Sequence, residues 1–142
     1  MKLSELITML KDEITPKEWE LLEVRDSTIK ISEHNRNTLL EMRNTQITED
    51  KEVSNDTISD LQLELKTYLD KYMAEDKNDH KWIIISSLFL TYIKEKPMHP
   101  IDKLNIKVVK ENNRKIYYCP FKKGEGEGSC KYCVCHTIER HL

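Results

Sequence analysis

All four cysteines of the 142-residue chain fall in one short stretch: Cys119, Cys130, Cys133 and Cys135. Thiolates are favoured ligands of borderline-soft metal ions. A Cys-x-x-Cys turn such as Cys130–Cys133 aims two sulfurs at one ion, ~2.3 Å from a zinc. Cys119 precedes Cys130 by eleven residues, across Gly124-Glu125-Gly126-Glu127-Gly128, whose glycines suit a tightly turning loop. A complete zinc ribbon would carry a second Cys-x-x-Cys, with a cysteine at 122, but Lys122 stands there. Spacing thus defines three ligands and leaves the fourth open among Cys135, His136 and His99. Cys135 is only two residues from Cys133, a strained geometry for one tetrahedral centre. His136 lies one helical turn beyond Cys133. His99 sits in rigid backbone between Pro97 and Pro100.

The chemistry expected of this set is structural. Three thiolates make zinc a poor Lewis acid, and no general base stands nearby, so a catalytic metal is disfavoured. An iron–sulfur cluster on Cys119, Cys130, Cys133 and Cys135 is the alternative, because a cluster needs four thiolates. The bland reading takes the cysteines as small apolar residues, and their crowding into the last 24 residues argues against it.

Little else in the chain could do chemistry. There is no Gly-rich phosphate loop and no nucleophile elbow. His34, His80 and His141 are isolated and suit surface or capping positions. Tyr117, Tyr118, Phe121 and Tyr132 stand among Lys115, Lys122, Lys123 and Lys131, a mixture that can stack bases and hold phosphates. Packing around a metal and under a hairpin is the favoured reading, since a small module has little other core. The expected function is therefore a non-enzymatic binding or interaction protein with an unidentified protein partner. Nucleic-acid binding through a basic hairpin face is the alternative.

The rest of the chain must position these residues. Charged residues make up 34 % and mean hydropathy is −0.66, values of a water-soluble chain. Glu5, Asp12 and Glu13 interrupt the N-terminal apolar pattern, which excludes a secretory signal, and the apolar run 82–93 is too short to span ~30 Å of hydrocarbon. No membrane partner and a cytoplasmic location are expected; there, clustered cysteines favour metal over disulfides. Residues 1–93 hold 12 Lys/Arg against 19 Asp/Glu, and 94–142 hold 11 against 6. A basic end suits a polyanion, yet metal-bound thiolates would offset part of its charge.

Apolar spacing predicts helices over 2–14, 16–25, 57–75 and 80–96, with a further helix around 39–47. Thr15-Pro16-Lys17-Glu18 is a capping-box start, and Asp56 is a plausible cap for the helix at 57. Asn78-Asp79 is read as the cap of the helix at 80. That helix is apolar on most sides and should lie at the centre. Residues 26–37 alternate like a strand at first but favour helix from Glu33, and are read as a continuing or restarted helix; 48–57 suits a loop. Beyond Pro100, 104–110 and 115–119 alternate around Glu111-Asn112-Asn113-Arg114, a β-hairpin that delivers Cys119 to its end. The fold class is mainly α: a bundle-like domain of four to five helices with a short C-terminal hairpin, a zinc-ribbon-like metal module. Residues 1–98 form the body and 99–142 the module, packed as one domain.

The segments His99-Pro100, Tyr117-Tyr118-Cys119-Pro120-Phe121-Lys122 and Cys130-Lys131-Tyr132-Cys133-Val134 resemble an uncharacterised archaeal family found chiefly in methanogens. The likeness is sharp over 97–134 and general before it. Members usually carry a Pro-Gly-Gly-like turn ahead of the hairpin, where this chain has Ile101-Asp102-Lys103-Leu104-Asn105. The family brings no established activity. The resemblance implies that His99, Cys119, Cys130 and Cys133 belong together, and it selects His99 as the fourth ligand of a structural zinc. Cys135 and His136 then look particular to this sequence.

Overall fold

A computed structural model describes residues 1–74, 77–122 and 126–137. The first helix, α1 (Leu3–Asp12), turns Leu3, Leu6, Ile7 and Leu10 inward. Its start is fixed by the chain that later returns past it. Leu3 N–H donates to Lys51 O at 3.0 Å, and Val53 N–H donates to Met1 O at 2.8 Å. The next helix, α2 (Pro16–Glu23), opens on the expected capping box. Glu18 N–H donates to Thr15 Oγ1 at 3.1 Å, and Thr15 N–H to Glu18 Oε1 at 2.9 Å.

Between 26 and 31 the chain turns without regular structure, with Asp26 Oδ1 accepting from Thr28 N–H at 2.9 Å. Ser32 then caps α3 (Glu33–Arg43). Arg36 is buried on this helix. Its Nε donates to Leu22 O at 2.7 Å and its Nη2 to Glu23 O at 3.2 Å, satisfying carbonyls at the end of α2. The loop expected over 48–57 spans 44–54 instead: α3 ends at Arg43, short of the helix read as far as 47, and the next helix begins at Asn55. Ser54 caps α4 (Asn55–Tyr72) by accepting from Thr57 N–H. Asp56, the cap expected from sequence, lies inside the first turn, where its charge suits the helix N-terminus.

The central helix α5 (Lys77–Leu88) begins ahead of Asn78 and Asp79, so neither serves as its cap. Of the surface or capping positions expected for it, His80 takes a capping one. It is buried, and its Nε2 lies 2.7 Å from Met73 O, beyond the end of α4. A histidine there joins two helix ends that would otherwise leave a carbonyl unpaired.

Residues 89–94, predicted to continue the same helix, wind instead as a π-helical turn, Phe89–Lys94. Glu95 follows in the left-handed region (φ +52°), and Lys96 N–H closes the end on Leu90 O at 2.8 Å. Pro97 forbids a further turn. Around α5 gathers the main core, which includes Leu6, Leu10, Leu22, Leu39, Met42, Leu61, Ile85, Leu88 and Phe89, each at most 1 % exposed. Every such side chain withdrawn from water stabilises the fold by roughly 1.5–3 kcal/mol before entropy is counted.

The hairpin appears as predicted. Strands β1 (Lys107–Glu111) and β2 (Arg114–Cys119) pair antiparallel, with Glu111 opposite Arg114 and Lys107 opposite Tyr118. Asn112 (φ +48°) and Asn113 (φ +64°) both take the left-handed conformation that a two-residue hairpin turn demands, and asparagine tolerates it best after glycine. A third strand was not foreseen. β3 (His136–Thr137) lies parallel to β2, with Tyr118 opposite His136 and Cys119 opposite Thr137. The molecule is mainly α, with five helices and a small C-terminal sheet among the described residues.

Candidate metal centre

Two turns of the same kind frame the cysteines. In the first, Cys119-Pro120-Phe121-Lys122, Lys122 N–H donates to Cys119 O at 3.3 Å. In the second, Cys130-Lys131-Tyr132-Cys133, Cys133 N–H donates to Cys130 O at 3.3 Å. Each is a four-residue turn closed from its last amide to its first carbonyl. The second carries a cysteine at each end, and the first carries Cys119 and Lys122.

Lys122 is more than an absent ligand. Its ammonium donates to Cys133 O at 3.1 Å and to Cys135 O at 2.7 Å, so the first turn holds the second by its carbonyls. Its positive charge also offsets negative charge on the sulfurs, favouring the thiolate forms of Cys130, Cys133 and Cys135.

The loop between the turns closes tightly. Gly126 has φ +86°, and a Cβ there would lie 2.9 Å from both the carbonyl carbon and the carbonyl oxygen of Cys130. Only glycine meets both demands without displacing the second turn.

Cys119 and Cys135 are buried, and Cys130 and Cys133 are half-buried. Cys119 and Cys135 share a small core with Ile106 and Tyr117, and Cys133 and Val134 pack against it. Cys133 is the focus of the local bonding. The Cys135 thiol and the backbone N–H groups of Cys135 and Met98 favour its thiolate form. The Cys135 thiol bond, working against burial, does most to bring the Cys133 thiol down to about 5. The Cys135 thiol is pushed up, because its proton is held in that bond, then by burial and by the charge of Cys133 and Cys119. Burial first, then Cys133 and Cys119, pushes Cys130 up. The sulfurs of Cys130 and Cys135 thus feel Cys119, Cys133 and Lys122 as charged neighbours.

His99 is exposed. The residue before it, Met98, lies between module and body: its N–H favours the Cys133 thiolate, while its carbonyl oxygen lies 3.2 Å from His34 Nε2 on α3. His136 is also exposed, with its ring centre 5.7 Å from that of Tyr118. Cys119, Cys133 and Cys135 thus share one small core, while His99 and His136 are exposed. Among the described residues, no three ligating side chains already converge on one point as a metal would require.

The aromatic residues divide between support and surface. Tyr117 is buried, Tyr132 packs against the main core, and Phe121 is 67 % exposed. Burial, the Tyr132 hydroxyl and the Asp60 carboxylate push Tyr92 up to about 12, placing the second turn against the helical body. His141 and Lys123 lie outside the described residues, as do Gly124 and Glu125 of the loop. Sequence reasoning missed Lys122 as a clamp, the Met98 N–H as a support of the Cys133 thiolate, and β3. The only signal for Lys122 was its place where a ribbon has cysteine.

Comparison with known proteins places this geometry in a family context. Residues 8–138 match the family described as "Uncharacterized protein conserved in archaea (DUF2115)". The UPF0305 protein MJ0646 of Methanocaldococcus jannaschii is 30 % identical over 112 residues, spanning 72 % of this chain and 65 % of that protein. No solved structure matches the chain.

Proposed function

The chain belongs to that archaeal family of uncharacterised proteins, whose description carries no activity, and we propose from its own residues that it is a non-enzymatic binding protein closed by a structural zinc. The gathering of Cys119, Cys133 and Cys135 about one small core, with Cys130 at the head of the turn that ends on Cys133, supports the reading. Cys119, Cys130 and Cys133 are ligands, as their spacing suggests. Cys135 takes the fourth place ahead of His99, because Cys135 is buried against Cys119 while His99 faces solvent. Metal binding would contribute directly to folding of a module with little apolar core. The reading places the protein in the reducing cytoplasm, where such thiols persist. Among the described residues no helix is long and apolar enough to cross a membrane.

Four cysteines also satisfy an iron–sulfur cluster, which is the second reading. Elemental analysis of anaerobically purified protein separates the two. One zinc per chain and a colourless solution are expected; iron with sulfide and visible absorption would replace zinc by a cluster. Within the zinc outcome, Cys135→Ser should lose the metal and His99→Ala keep it. The reverse pattern would restore His99 as ligand.

A further inference from the structure

A cleft of about 810 Å³ separates the π-helical turn from the β-hairpin. None of the four cysteines lines it, although Val134 and His136 form part of its wall. Its volume falls in the range of small-molecule sites. We propose that this cleft binds a small molecule bearing a phosphoryl group, held by Thr91, Lys96, Arg114 and Lys115.

Charge gives the first argument. Lys96, Arg114 and Lys115 line the cleft, and among the described residues none of them pairs with a carboxylate. Lys94 also lines it but is held by Glu41 at 2.9 Å. Cations therefore enter from two sides: Lys96 after the π-helical turn, and Arg114 with Lys115 from the start of β2. A tetrahedral phosphoryl group accepts from several directions at once, whereas a carboxylate is satisfied in one plane. Arginine's fork suits two of its oxygens and lysine supplies a point charge.

Thr91 gives the second and independent argument. It lies in the cleft wall, is 5 % exposed, and its hydroxyl has no partner. A buried hydroxyl is normally satisfied. A buried helical threonine usually bonds the carbonyl four residues back, as Thr38 does to His34 O at 2.8 Å. Thr91 sits within the π-helical turn and lacks that bond. Single π-turns are commonly retained at functional sites. Here the altered winding leaves an unpartnered hydroxyl on a residue of the cleft wall.

Glu95 and Glu111 also line the cleft. Two carboxylates beside three cations leave a modest positive excess. That suits one compact anion and opposes the long polyanion of a nucleic acid, whose affinity needs many phosphate contacts. The apolar portions of Ile116 and Tyr117 in the same wall offer a surface for the remainder of the ligand.

The test is calorimetric titration of the metal-replete full chain with adenosine monophosphate, inorganic pyrophosphate and adenosine. Saturable binding of the monophosphate or pyrophosphate, with none for adenosine, is the expected result. Arg114→Gln and Lys115→Gln alter exposed residues and should each weaken binding by about tenfold or more, the loss of a charge-assisted contact. Thr91→Val should weaken it further without lowering the thermal midpoint of the free protein, since its hydroxyl has no partner to lose. Absence of binding by both phosphoryl probes would overturn the proposal. So would binding unchanged in the Arg114 and Lys115 variants, equal binding of adenosine, or binding confined to single-stranded RNA.

Discussion

Replacing Lys122 by methionine tests whether the two turns act as one unit. The substitution keeps the apolar stem and removes the ammonium. It deletes bonds of 3.1 Å to Cys133 O and 2.7 Å to Cys135 O. A hydrogen bond to a charged group is worth ~1.5–3 kcal/mol, and water competes at this half-buried side chain, so the two together come to about 2–3 kcal/mol. The ammonium also offsets thiolate charge, which acts in the same direction. At 1.4 kcal/mol per decade the expected loss of zinc affinity is roughly 30- to 100-fold. Losses of that size follow removal of groups that orient metal ligands. The assay is competition for zinc against a chromophoric chelator under anaerobic conditions. Lys131→Met is the control, because Lys131 is exposed and reaches only the face of Tyr132, 5.8 Å away. If the two variants hold zinc equally well, the clamp contributes nothing to the centre and the reasoning fails.

Two further outcomes follow from other parts of the molecule. Gly126→Ala should cost about 1–3 kcal/mol, because a Cβ there meets the Cys130 carbonyl at 2.9 Å and the residue is held at φ +86°; an unshifted denaturation midpoint would refute this. Glu18 is lowered below its ordinary value of 4.5: burial alone would raise it, but the bonds to Lys81 and to Thr15 outweigh burial. Its contribution is therefore complete above that ordinary value and lost as pH falls through the lower folded-state value. The stability gap between the parent chain and Glu18→Gln should stay level at neutral pH and close on acidification, and a gap that widens in acid would contradict the assignment.

The helical part was largely legible because its signals are local. Thr15 and Glu18 announce the start of α2, and their bonds form as the capping box requires. The all-round apolar character of 82–93 marks the centre of the core, and Asn112-Asn113 marks the hairpin turn. What escaped depends on partners distant in sequence. Arg36 looks like a surface residue until Leu22 O and Glu23 O are seen to need donors, and the burial of His80 follows from the same need at Met73 O. The π-helical turn adds one residue to a helix whose apolar pattern looks the same with either winding. At the cysteines, spacing brought Cys119, Cys130 and Cys133 together. The two-residue step to Cys135 looked strained, but β3 draws that residue in beside β2, and no two-residue strand can be read from its own sequence.

Met98 has a spectroscopic consequence. The peptide on its N-terminal side carries the N–H that favours the Cys133 thiolate, and the peptide on its C-terminal side carries the carbonyl that meets a histidine of the helical body. Isotopic labelling of that one residue therefore reports on both halves of the molecule. Its nitrogen resonance is sensitive to the state of the Cys133 sulfur, and its carbonyl carbon to the contact with His34. Titrating metal into one labelled sample would read both contacts from one residue through two successive peptide groups.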